Sequence, residues 1–208
     1  MNPHRTIPRF AATVLLSATY LALGAVSVGC GGGNDETSGT TSAVAIFTPD
    51  TPTAADGSIT LLPGTTSGAS VNVRVTVTQM ASFFGAAFRI KYDPAALLFN
   101  GMDSSSSFLR AGVTDADLLF IEDHANSPGE VVITATRLDP TVVSPVDVTA
   151  TSDLVILNFV ARRPIVPLAA EGRLDFVDPM QACNGTETPP TCGAITVTAW
   201  EGGGVTAQ

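Results

Sequence analysis

Val71-Asn72-Val73-Arg74-Val75-Thr76-Val77-Thr78 alternates four valines with four polar residues. Successive side chains of a strand point to opposite faces, so this stretch makes one buried face and one wet face. A helix would scatter the same valines around its circumference. Further along, Ala86-Ala87-Phe88-Arg89-Ile90-Lys91-Tyr92 repeats the alternation, with Ala86, Phe88, Ile90 and Tyr92 on one side and Arg89 and Lys91 on the other. Asp93-Pro94 ends the run, because proline cannot donate to a ladder.

Working outward, further strands are expected over residues 59–62, 97–102, 118–123, 130–138, 153–162, 173–177 and 194–200. Asn126-Ser127-Pro128-Gly129 suits a type II turn and would join 118–123 to 130–138 as a hairpin. Residues 154–160 are apolar on nearly both faces, which fits a central strand, a buried helix being the alternative. A helical turn is expected within 104–112. About nine strands, with no long amphipathic helix between them, give an all-β class: two packed antiparallel sheets rather than a parallel α/β sheet.

The first residues read as an address. Residues 1–10 carry His4, Arg5 and Arg9 without an acid, and 11–28 hold no charge, the pattern of a secretory signal over 1–29. A spanning helix needs about 20 apolar residues, and no basic stop-transfer cluster follows. Val26-Ser27-Val28-Gly29-Cys30 resembles the lipobox of bacterial lipoproteins, in which the cysteine is lipidated and becomes the new N-terminus. Ser27 departs from that pattern, where an aliphatic residue is usual, and ordinary signal-peptidase cleavage is the alternative. Gly31-Gly32-Gly33-Asn34 opens a polar run, so residues 30–56 are expected to be a tether and 57–208 the folded module. Acyl chains on Cys30 would hold the chain to a membrane without a spanning helix. No Asp follows Cys30, which by resemblance to lipoprotein sorting points to the outer membrane, facing the periplasm or the cell exterior.

Composition agrees with export. Charged residues are 14% of the 208, and Gly 19 and Pro 14 supply many breaks, as in turn-rich extracellular β-proteins. Without residues 1–29 the chain keeps eight Lys and Arg against nineteen Asp and Glu, a net charge of −11. Lys91 is the single lysine, so no basic patch exists for nucleic acid. Besides Cys30 there remain Cys183 and Cys192, for which an oxidising compartment makes a disulfide the natural reading. Closing so short a loop stabilises by roughly 2.5 to 3 kcal/mol in the entropy model. Zinc would need about four N or S ligands, and His124 is the only histidine after residue 29.

Ile59-Thr60-Leu61-Leu62-Pro63-Gly64, the strand at 71–78, and Phe88-Arg89-Ile90-Lys91-Tyr92-Asp93-Pro94 with Leu97 and Phe99 together resemble the N-terminal half of cohesin domains. The likeness extends more loosely over 57–206, through Ser152-Asp153-Leu154 to the closing 193–205. It implies a nine-stranded jelly-roll sandwich. It also implies a protein partner, since cohesins of cellulosomes bind calcium-loaded dockerin modules through one face. Gly85 and Ala87 stand where dockerin-binding members commonly carry polar contacts, which points to a scaffold adapted to another partner. Arg89 and Lys91 share an outward parity and could offer a cationic contact.

Two other function classes compete with protein recognition, and a structural or adhesive surface domain is what remains if neither a protein nor a polysaccharide binds. A polysaccharide is held by exposed planar rings, and Trp200 is the one plausible platform. Catalysis by a Ser-His-Asp set would have to use His124, and no G-x-S-x-G elbow is present. Asp115 and Asp117 share a parity if extended, which would suit a surface calcium, solvated loop acids being the default. No catalytic residue, metal ligand or cofactor is assigned.

Overall fold

Alternation built into the chain becomes two stacked sheets in the computed structural model, which describes residues 44–125, 127–185 and 193–208. The expected signal segment 1–29, Cys30, Asn126 and Cys192 lie outside the described residues. In chain order the strands are β1 (Ala45–Pro49), β2 (Ser58–Ser67), β3 (Ser70–Thr78), β4 (Met80–Lys91), β5 (Leu97–Asp103), β6 (Leu118–Asp123) and β7 (Glu130–Arg137). Then follow β8 (Val146–Val148), β9 (Ser152–Ala161), β10 (Arg173–Asn184), β11 (Gly193–Ile195), β12 (Trp200–Glu201) and β13 (Gly203–Ala207). One sheet runs β12-β2-β3-β9-β5, and the other runs β1-β13-β10-β4-β7-β6, with β8 on β4 and β11 on β10. All pairings are antiparallel except β12 with β2.

Val71, Val73, Val75 and Val77 all point into the space between the sheets, together with Phe83, Phe88, Ile90, Ile133, Leu157 and Phe159. The 154–160 run is β9, a central strand between β3 and β5. Ser127 to Glu130 closes the β6–β7 hairpin: Glu130 N–H donates to Ser127 O at 2.9 Å, and Gly129 takes φ +85°. Phe108–Arg110 forms a 3₁₀ turn inside the expected helical stretch. Tyr92 packs edge-on to Phe159 at 5.5 Å, and the Asp93 carboxylate accepts from Ala95 N–H at 2.8 Å, so the end of β4 is a structural stop.

Three expectations need correction. Residues 45–49, assigned to the tether, form β1, because Ala45 and Phe47 supply core side chains and the strand pairs along its length with β13. The face of β3 opposite its valines is only half wet: Thr76 and Thr78 are buried, and their hydroxyls meet Thr60 Oγ1 at 3.0 Å and Thr151 Oγ1 at 2.9 Å. The single strand expected at 194–200 is two. β11 lies on β10, the chain crosses between the sheets, and Trp200–Glu201 pairs with β2. The return into β13 depends on Gly203, where a β-carbon would sit 2.6 Å from Thr48 O and collide with the Phe47 ring.

Candidate binding face

β4 is flanked by β10 on one side and β7 on the other, with β6 beyond β7. Because Phe88 and Ile90 point inward, Gly85, Ala87, Arg89 and Lys91 point outward, and the registers arrange their neighbours in rows. Lys91 stands between Asp175 and Glu130, and Arg89 between Val177 and Val132. Ala87 lies between Gln181 and Thr134, with Ile121 of β6 beyond, and Gly85 between Cys183 and Thr136, with Leu119 beyond. The face therefore grades from a charged end at Lys91 to a small, hydroxyl-bearing and apolar end at Gly85.

The charged end is balanced rather than cationic. Arg89 Nη1 lies 2.9 Å from Glu130 Oε1, and Lys91 is in register with two carboxylates. Arg173 of β10 continues the network, holding Asp50 in a two-pronged pair, with Nη2 to Oδ2 at 2.7 Å, and holding Asp175. Hydrogen bonding to Arg173 keeps the Asp50 carboxyl below its usual range, and the two carboxylates raise the Arg173 guanidinium above its own. The pair of cations expected here is thus embedded among acids.

The small end is closed by packing. A β-carbon on Gly85 would stand 2.7 Å from Thr136 Cα and collide with the Thr136 side chain, whose hydroxyl donates to Arg137 O at 2.9 Å. No longer side chain fits at residue 85 while Thr136 stays.

The sequence model of the cohesin domain matches residues 58–162. The chain belongs to the cohesin family. Its modules are non-catalytic domains that bind other proteins. Among solved structures, a type II cohesin domain from the cellulosome of Acetivibrio cellulolyticus matches with TM-score 0.50 and 15% identity, over 78% of this chain and 94% of that one. The second type II cohesin of the adaptor ScaA scaffoldin of that organism gives 0.47 and 16%, over 77% and 92%. The sixth cohesin of its scaffoldin B, solved in complex with a mutant Cel5 dockerin, gives 0.42 and 22%, over 74% and 98%. No curated protein matches the chain.

The remaining candidates of this cohesin fall elsewhere. Trp200 is half-buried at the core rim, its ring 5.1 Å from Phe176 and 6.0 Å from Phe88, so the indole expected as a sugar platform is engaged in packing. Cys183 faces outward opposite Ala194 of β11, and its expected partner Cys192 lies outside the described residues. Asp115 and Asp117 sit in a 3₁₀ turn instead of a strand. Asp115 pairs with Arg110, while Asp117 accepts from Thr114 Oγ1 at 2.7 Å, which keeps its carboxyl below its ordinary value. His124 stacks edge-on against Phe99 at 5.2 Å.

One residue escaped the sequence reading. Arg137 is 5% exposed, and its guanidinium donates to three backbone carbonyls: Leu109 O at 2.9 Å, Ser144 O and Ala111 O, each at 2.5 Å. It ties the 104–112 loop and the loop before β8 to the end of β7. The signal was available, since Val131, Ile133, Ala135 and Arg137 share one parity.

Proposed function

We propose that this cohesin is an exported, lipid-anchored module that holds a protein partner on the outer face of β10-β4-β7-β6, a dockerin module being the first candidate. The observation that carries the reading is the face itself: small and apolar residues at Ala87, Val132, Val177 and Ile121, with the Arg89–Glu130 pair and Lys91 at one end. Such an arrangement lets the apolar part exclude water while the charged end sets register. Export and anchoring are supported by the signal pattern of 1–29 and by Cys30 after Val26-Ser27-Val28-Gly29, with the outer membrane as the destination. The cellulosome origin of a solved cohesin supports a link to polysaccharide breakdown.

Calorimetric titration of the mature chain with calcium-loaded dockerins of type I and type II tests the partner. Because Gly85 and Ala87 offer no polar side chains, binding is expected in the micromolar range, about 8 kcal/mol, rather than the nanomolar. Ile121→Asp on the face should weaken it about tenfold or more. Absence of heat with every dockerin would overturn the dockerin reading. Mass spectrometry of the exported chain reads the anchor as acyl mass on Cys30, and the proposed Cys183–Cys192 bond as the loss of two hydrogens.

A further inference from the structure

Four of the eight most exposed large apolar side chains among the described residues gather at one corner of the sandwich: Val44, Ile46, Val166 and Leu168. Register brings them together. Ile46 is opposite Thr206 of β13, and Ile165 bridges Ala207 on the other side of β13. Ala45, Ala207 and Ile165 turn into the core, so Ile46, Thr206 and Val166 turn outward in one row. Leu168 lines a shallow depression with Thr48 and Gly204, the next row along.

Leu168 combines two unfavourable features. Its side chain is fully exposed, and its backbone is left-handed at φ +63°, a conformation that L-residues avoid. The backbone is accounted for by a turn, Ala169 N–H donating to Val166 O at 3.2 Å with Pro167 ahead of Leu168, whereas the full exposure of the Leu168 side chain is offset by no packing.

The corner is also where the chain arrives. Val44 is hydrogen-bonded to Gln208, and thirteen residues, 31–43, separate it from Cys30, a reach of at most about 50 Å. We propose that this corner faces the bilayer, with Val44, Ile46, Val166 and Leu168 entering the boundary between headgroups and acyl chains. The proposal rests on the lipid anchor described above. A bilayer suits the corner better than a protein, because the patch is two strand spacings wide, about 10 Å, whereas a stable protein interface needs about 800 Å² per partner. A weak contact is sufficient when a tether holds it at high local concentration. The strand order β1-β13-β10-β4-β7-β6 places the corner at one edge of the sheet and leaves β4, β7 and β6 to the partner.

Hydrogen exchange on the lipidated mature chain, which begins at Cys30, tests this, bound to phosphatidylethanolamine vesicles and compared in solution with the same mature chain carrying Cys30→Ser. Amides of residues 166–170 should slow by about threefold or more on vesicles, while those of β7 should not change. Leu168→Gly removes the exposed side chain at a backbone glycine adopts freely, so it should keep or raise the melting temperature and abolish the slowing. Unchanged exchange at 166–170 in a vesicle-bound chain overturns the proposal. If the chain does not float with vesicles, the anchor reading fails separately. The mature chain is then held on nickel-chelating lipids by a hexahistidine at its N-terminus, where slowing supports the corner and its absence overturns it.

Discussion

A methyl group at residue 85 would have to displace Thr136, whose Cα stands 2.7 Å from the place a β-carbon would take. Gly85 is therefore a packing requirement of the β4–β7 pair. On the proposed binding face it also leaves no room for the polar side chain that the resemblance to dockerin-binding cohesins implies there. Gly85→Ser should destabilise the fold by about 1 to 3 kcal/mol through overpacking. Adding Thr136→Gly, which removes the side-chain clash but leaves Cα in place, should recover only part of that loss, as read by chemical denaturation of the single and double variants. Gly85 was legible as a departure from the family, but its cause was not, since a cross-strand neighbour 51 residues away is invisible in a string. Arg89 and Lys91 were legible as outward-facing for the reason that parity is local. That Arg89 pairs with Glu130, and that Lys91 stands in register with Glu130 and Asp175, depends on how the strands align.

Among elements, β1 shows where local reading stops. Ala45-Ile46-Phe47-Thr48-Pro49 is too short for periodicity to separate it from a polar tether, yet it buries Phe47 and completes a ladder with β13. A chain beginning at residue 57 should be less stable than one beginning at 44 by about 3 kcal/mol, the burial of one Phe and further apolar surface. Equal melting temperatures for the two would show β1 to be dispensable. Longer elements fared better: β3, β4, β7 and β9 each carry eight or more residues of pattern, enough for the period of two to dominate. The split of 194–200 into β11 and β12 had no local signal, because both halves are extended and differ only in which sheet receives them.

At the scale of the whole molecule, stability should depend on acid pH through its carboxylates. Asp50, Asp103 and Asp117 all lie below their ordinary value of 3.8, Asp50 chiefly through hydrogen bonding to Arg173, and the others through hydrogen bonds from Ser105 and Thr114. A depressed folded value means that this stabilisation is complete above about pH 4 and is lost as pH falls below it. Tyr92 has the opposite sense. Burial raises its phenol above 10.0, favouring the neutral form, so its contribution is present below about pH 10 and lost above. Melting temperatures should decline below pH 4, with a shallower slope in Asp50→Asn. An unchanged slope in that variant would show that the Asp50–Arg173 pair does not contribute to acid sensitivity.

Alternation of valines with polar residues was enough to establish strands and a two-layer core, because a period of two is a property of neighbouring residues, while the likeness to cohesins lay in the particular residues of 59–64, 71–78 and 88–94. The same string contained the signal-like pattern of 1–29 and the lipobox-like segment before Cys30, linear motifs on which the proposed export and anchoring rest. Only the folded sandwich decided which outward residues share rows, which cations are neutralised, and that Trp200 is spent on packing. It alone gathered Val44, Ile46, Val166 and Leu168 at one corner. Those outcomes arise from contacts between strands far apart in the chain, and such contacts exist only once the sheets have closed on each other.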